Sequence, residues 1–189
     1  MKVGPCNFKQ QERNKLLTTE EIPNGYNNTN QFVIIKGGAT NFIEFVAKIF
    51  GAKERVEVRT PDRDGLLIHA EVALGNATLM VADSKEDWPF TPAFIQVYVQ
   101  DAQATLDRAM TVGAELVTKV SKFYGGYKLA RFLDPFGNIW WLYEPDPEGQ
   151  NDTKQSSNTD WHDKKPSEVY TTIMDAMKKL KAPGEANKA

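Results

Sequence analysis

The pattern of residues 31–83 returns at 94–144, and an internal repeat of this kind constrains a fold more than any single element can. In the first half, Phe32-Val33-Ile34-Ile35 reads as a short buried strand that Gly37-Gly38 breaks. Apolar residues at Ala39, Phe42, Ile43, Val46, Ala47 and Phe50 then fall on one face of a helix, and Gly51 follows as a C-cap would. Three strands are expected next, at Arg55–Arg59, Leu66–Leu74 and Thr78–Val81, parted by the turns Asp62-Arg63-Asp64-Gly65 and Gly75-Asn76. In the second half, Phe94-Ile95-Gln96-Val97-Tyr98-Val99 is a strand and Asp101 an N-cap. Ala102, Thr105, Leu106, Ala109 and Met110 repeat the helical face, and Gly113 closes it. Strands follow at Glu115–Val120, Lys128–Leu133 and Ile139–Glu144. Asp134-Pro135-Phe136-Gly137 must reverse the chain between the last two, which predicts positive φ at Gly137. The fold class is therefore α+β, built from two βαβββ modules joined by Ser84–Pro92.

The flanks differ in character. Residues 1–30 form an irregular lead with turn chemistry at Asn24-Gly25 and Asn27-Asn28. Residues 145–165 are a polar linker, and 166–189 hold a C-terminal amphipathic helix and tail. That helix should dock by Val169, Tyr170, Ile173, Met177 and Leu180, since a short helix is stable chiefly through its apolar face. With 23 basic and 25 acidic residues the net charge is −2, so neither nucleic acid nor an anionic membrane is an expected partner. A single cysteine, Cys6, rules out an internal disulfide framework and suggests a reducing compartment. Neither a signal peptide nor a bilayer-spanning run is read, so the expected location is cytoplasmic.

Several segments resemble a known family. Ile22-Pro23-Asn24-Gly25-Tyr26 is similar to the IPEGY lead-in of PhnB-type glyoxalase-like proteins. Ile43-Glu44-Phe45 with Phe50-Gly51-Ala52 resembles their first helix, His69-Ala70-Glu71-Val72 their HAEL strand and Leu79-Met80-Val81-Ala82-Asp83 their LMLAD strand. Asp134-Pro135-Phe136-Gly137-Asn138-Ile139-Trp140 resembles their DPFGHxW turn. The order and spacing over residues 22–144 identify the chain as a member of the vicinal-oxygen-chelate superfamily of glyoxalase, bleomycin-resistance and extradiol dioxygenase proteins. The resemblance implies a curved mixed sheet around a cleft, and homodimers are common in the family. Its activities range from lyases and dioxygenases to epoxide-opening resistance enzymes and drug-sequestering proteins, so the fold leaves function open.

Enzymes of this superfamily hold a divalent metal with His, Gln and Glu ligands. The resemblance puts ligand positions at Gln31, Phe94 and Trp141, and offers no carboxylate on the first module's last strand before Asp83. Of these, Gln31 alone could bind a metal. His69 is a weak candidate ligand or general base, to be weighed against a half-buried strand histidine paired to Glu71 two residues on. His162 falls in the polar linker and is expected in solvent.

Rings are more informative. Alternation places Ile139, Trp141 and Tyr143 on one face of the last strand, and Phe94, Gln96 and Tyr98 on one face of the second module's first strand. By resemblance, Tyr124 and Tyr127 sit in a loop covering the cleft, while Gly125 and Lys128 replace a Trp and an Arg common in relatives. The rings either line a cleft for a flat organic ligand or fill a core. The preferred reading is a metal-free small-molecule-binding protein, with no cofactor, whose ligand meets Gln31, His69, Phe94, Gln96, Tyr98, Tyr124, Tyr127, Lys128 and Trp141. Two other readings stay open. One is a metal-dependent lyase or dioxygenase with a rearranged site at Gln31, His69 and Glu144; the other is a dimeric interaction module without ligand.

Overall fold

A computed structural model describes residues 16–151 and 165–184. Cys6, His162 and most of the expected polar linker lie outside the described residues. The first module comprises β1 (Gln31–Ile35), α1 (Ala39–Phe50), β2 (Lys53–Glu54), β3 (Thr60–Pro61), β4 (Leu67–Leu74) and β5 (Ala77–Asp83). The second comprises β6 (Phe94–Tyr98), α2 (Ala102–Thr111), β7 (Glu115–Phe123), β8 (Tyr127–Leu133) and β9 (Ile139–Pro145), and α3 (Glu168–Lys179) follows.

Each module keeps its own mixed sheet. The first runs β1-β5-β4-β2 with β3 also on β4, and the second runs β6-β9-β8-β7. The first strand of each module pairs in parallel with its last, β1 with β5 and β6 with β9. The intervening helix makes the crossover that parallel pairing requires. A carboxylate at the end of each last strand then holds the first amide of the module's helix. Asp83 accepts from Ala39 N at 2.6 Å, and Glu144 accepts from Ala102 N at 2.8 Å. Helix N-termini present unpaired N–H groups and partial positive charge, so these contacts close both modules by one device.

The modules meet through their helices. Phe42 packs on Phe136 and Trp140, Phe45 on Phe132 and Phe136, and Phe50 on Trp140, with ring centroids 5.0–6.3 Å apart. Rings of the first module's helix thus bury the inner face of the second sheet, while α2 donates from Arg108 Nε to Ile49 O at the end of α1. Strand alternation fixes what remains outside: on β9, Trp140 and Leu142 are buried in this core and Trp141 and Tyr143 take the other face.

The turn before β9 is held by Asp134. Its carboxylate accepts from the backbone of Phe136 and Asn138, from Asn138 Nδ2 and from Trp140 Nε1, while Asn138 Oδ1 accepts from Ala93 N. Gly137 sits there with φ +88°, as the turn sequence predicts.

Two expectations change. The segment Arg55–Arg59, read as a strand, is a 3-10 turn over Val56–Val58 between two-residue strands. A fork from Arg59 to Glu54, at 2.7 and 2.8 Å, brackets the turn and leaves Val56 in solvent, so the apolar alternation there marks no core. The C-terminal helix docks on β7, but its contact face is turned from the expected one. Val169, Thr172, Ile173, Ala176 and Leu180 are partly covered, Tyr170 and Met177 are exposed, and no residue of α3 is fully buried. Polar contacts set this orientation: Thr172 Oγ1 lies 2.7 Å from Thr118 Oγ1, and Glu168 pairs with Lys119. No described helix is long and apolar enough to cross a membrane.

Two outcomes are expected. Gly137→Ala adds a Cβ 2.5 Å from Phe90 Cζ at a positive φ, and should cost roughly 1–3 kcal/mol in chemical denaturation. For Glu144, the Lys128 ammonium and the Ala102 amide hold the carboxyl below its ordinary 4.5. A depressed folded value contributes stability above that ordinary value, lost as pH falls through the folded one. The wild type should therefore exceed Glu144→Gln in urea midpoint at neutral pH, and the gap should close on acidification below 4.5.

Candidate functional site

The outer face of the second sheet carries a continuous shelf of rings. Register places Gln96 beside Trp141 and Tyr98 beside Tyr143, with Arg131 and Leu129 next on β8. Tyr98, Tyr127 and Tyr143 form a mutual cluster with centroids 5.6–6.0 Å apart, and Phe123 and Tyr124 extend it. The β6 side is open, with Phe94 46% exposed and Tyr98 62%, and Tyr124 in the β7–β8 hairpin is 75% exposed. The β7 side is roofed by α3. Burial pushes the Tyr143 phenol up, with Tyr124 adding to the effect.

Arg131 lies at the roofed end and is 2% exposed. Its guanidinium carbon sits 3.7 Å from the centroid of the Trp141 ring, a cation–π contact in a desolvated place. Nη1 donates to Thr118 Oγ1 at 3.2 Å and to Val169 O of α3 at 2.7 Å. Neither Arg131 Nε nor Trp141 Nε1 has a hydrogen-bond partner among the described residues. No carboxylate pairs with this cation among the described residues, and burial drives it down to about 10. Sequence reading missed Arg131. The available signal was its place in Leu129-Ala130-Arg131, two residues from an apolar position on one strand face.

The outer face of the first sheet is polar at its centre. Glu71 accepts from Tyr26 OH at 2.5 Å and from Arg55 Nη1 at 3.4 Å, and His69 Nε2 lies 3.1 Å from its other oxygen. Burial alone would raise the Glu71 carboxyl. The bonds from Tyr26 and His69, with the Arg55 charge, outweigh burial and hold it low. Two segments that carry the family resemblance therefore meet here, Tyr26 of the lead-in on Glu71 of β4. His69 is committed to that carboxylate, with Phe32 beside its ring.

The expected site residues divide among several places. Phe94, Gln96, Tyr98, Tyr127 and Trp141 share the second sheet's outer face, and Tyr124 stands in the hairpin at its end. Gln31, Gln96 and Tyr98 also line an open trough of about 930 Å³ between the modules, flanked by β1 and β6, an edge strand of each sheet. His69 lies apart on the first sheet. Lys128 faces the opposite side of β8 from Arg131 and is bound to Glu144 at 2.7 Å.

A divalent metal of the kind the family implies does not fit these residues. Phe94 has no donor atom, and Trp141 offers only an N–H with a guanidinium stacked on its ring. A fixed cation there opposes a second one. Gln31, His69 and Glu144 are not brought together either. His69 is on β4 with Glu71, and Glu144 on β9 of the other sheet, holding Lys128 and Ala102 N. Among the described residues no three His, Cys, Asp or Glu side chains gather as a ligand set.

Comparison with known proteins agrees with this architecture. An uncharacterized protein of Mycobacterium tuberculosis H37Rv is 32% identical over 135 residues, covering 66% of this chain and 78% of that one. A glyoxalase/bleomycin resistance protein/dioxygenase family enzyme from Burkholderia phytofirmans superposes with a TM-score of 0.50 at 17% identity, over 62% of this chain and 99% of that one. A fosfomycin resistance protein of Listeria monocytogenes superposes at 0.52 and 14% identity, over 65% of this chain and 95% of its own. At such identities these structures speak for the fold alone. The family profile matches residues 29–142, and the chain belongs to the Glyoxalase/Bleomycin resistance protein/Dioxygenase superfamily.

Proposed function

We propose that this chain is a PhnB-type member of the superfamily that binds or sequesters a small aromatic organic molecule on the outer face of its second sheet, without a metal ion. The observation that carries this reading is the replacement at Phe94 and Trp141. Positions that resemblance assigns to metal ligands hold rings, and one of those rings stacks on a buried guanidinium. Exposed Phe94, Tyr98 and Tyr124 lead onto the half-buried Tyr127, Tyr143 and Trp141, so a flat ligand can exchange water for ring faces along one path. Gln96 supplies a polar tip within that path. His69 serves in this reading as the anchor of the Glu71 cluster.

The chain also fits a homodimer, because β1 and β6 leave two unpaired strand edges along one trough. A second copy seated there would enclose Gln31 and the open end of the ring shelf.

Titration with 2-naphthol, followed by tryptophan fluorescence, tests the binding reading. Saturable quenching is expected, and Trp141→Ala should weaken it about tenfold or more, in line with a lost ring contact plus its buried area. Unsaturable quenching, or an unchanged affinity in Trp141→Ala, would overturn the reading. A divalent ion that stays stoichiometric through dialysis would overturn the metal-free part. Elution of the full chain at the mass of one copy would remove the dimer.

A further inference from the structure

We propose that Arg131 is an anion-recognition site, that it takes an oxyanion carried by the aromatic ligand, a carboxylate or phosphonate, and that α3 is the latch closing it. This inference rests on the ring shelf being the ligand site, and it names the charge that the ligand carries.

The geometry of the guanidinium is the first ground. Both hydrogen bonds of Arg131 leave from Nη1, one to Thr118 and one to Val169 O. The opposite edge of the fork, Nε with Nη2, is the edge that meets a carboxylate in a two-bond pair, and Nε has no partner. Trp141 Nε1, on the ring beneath, is a second buried donor without an acceptor. Buried donors in folded proteins are nearly always paired, so two together beside an uncompensated cation mark a place for an acceptor-rich, negatively charged group.

Charge is the second ground. The described groups that act electrostatically on Arg131 are the phenols of Tyr143 and Tyr124, not carboxylates. The ion pairs seen among the described residues each join opposite charges, such as Lys128 with Glu144 or Lys85 with Asp62. Arg131 is the one buried cation among the described residues, and it lacks that compensation. An anionic ligand would provide it.

The latch is the third. The acceptor now closest to Arg131 is a peptide carbonyl in the first turn of α3, a weaker partner for a cation than an oxyanion. The helix around that carbonyl docks shallowly, with no fully buried residue. It is held by the partly covered Val169, Ile173, Ala176 and Leu180, the Thr172–Thr118 hydroxyl contact, the exposed Lys119–Glu168 pair and the Arg131 bond itself. Apolar side chains that are only partly covered are what a segment of low local stability has. Displacing α3 frees Nη1 from Val169 O beside the unpaired Nε, at the end of the ring shelf.

The test uses the full chain with two probes of equal shape, benzoate and benzamide. Affinity is read by the indole N–H resonances, and α3 by amide hydrogen exchange. Benzoate should bind at least tenfold tighter than benzamide and should speed exchange in α3, while benzamide should not. Arg131→Met should bring the two probes to equal affinity. Should that variant fail to fold, Arg131→Lys keeps the charge, loses the fork, and should shrink the preference severalfold. Thr172→Val, which removes a latch contact, should tighten benzoate severalfold. Equal affinity of the two probes in the wild type would overturn the anion site while leaving an aromatic-binding shelf. Preferred benzoate binding with α3 exchange unchanged would overturn the latch. Failure of both probes to bind, in the wild type and in Thr172→Val, would overturn this inference, and failure of 2-naphthol as well would take the shelf with it.

Discussion

The packing of Phe42, Phe45 and Phe50 against Phe132, Phe136 and Trp140 decides most of what this protein can present to a ligand. Rings of the first module's helix complete the core under the second module's sheet, so the two modules are joined through their helical sides. Each sheet is then left with one face not spent on the core. On the first, that face is occupied at its centre by Tyr26, Glu71 and His69. On the second it is a row of rings ending at a buried arginine. Because side chains alternate along a strand, burying Trp140 and Leu142 necessarily turns Trp141 and Tyr143 the other way.

The same carboxylate device closes both modules and keeps Asp83 and Glu144 off the outer faces of the sheets. Asp83 and Glu144 lie at the ends of the last strands and are drawn to the helix N-termini, where unpaired N–H groups favour negative charge. Glu144 is further committed by Lys128. Among the described residues, this leaves the second sheet's outer face without a carboxylate to compensate Arg131, and that asymmetry of charge separates this face from a cation site. The docked C-terminal helix meets the arginine through a carbonyl, so the charge stays uncompensated even when covered.

Much of the architecture was legible before any coordinates. The repeat of strand, helix and three strands announced both modules, because amphipathic helices and alternating strands leave periodic apolar patterns. The Asp134–Gly137 turn was readable as well, since only a few residue types satisfy its backbone. The short segment at Arg55–Arg59 was misread because valines in an exposed 3-10 turn alternate as they would in a strand. The contact face of α3 was misjudged for a related reason. Its orientation is set by Thr172 meeting Thr118 and by a carbonyl meeting Arg131, and hydroxyl or main-chain contacts leave no trace in hydrophobic periodicity.

The sequence by itself determined the superfamily, the two modules and the rings at Phe94 and Trp141, because these depend on residue type and on spacing within a strand or helix. It could also group Trp141 with Tyr143, as neighbours on one strand face. It could not place Arg131 on Trp141, part His69 from Glu144, or turn Lys128 away from the rings. Those relations join residues through register between strands, docking between modules and a helix that arrives from beyond the repeat. Only the folded chain fixes such distances, because burial and pairing energies act between surfaces that are far apart in sequence and meet only when the tertiary packing is complete.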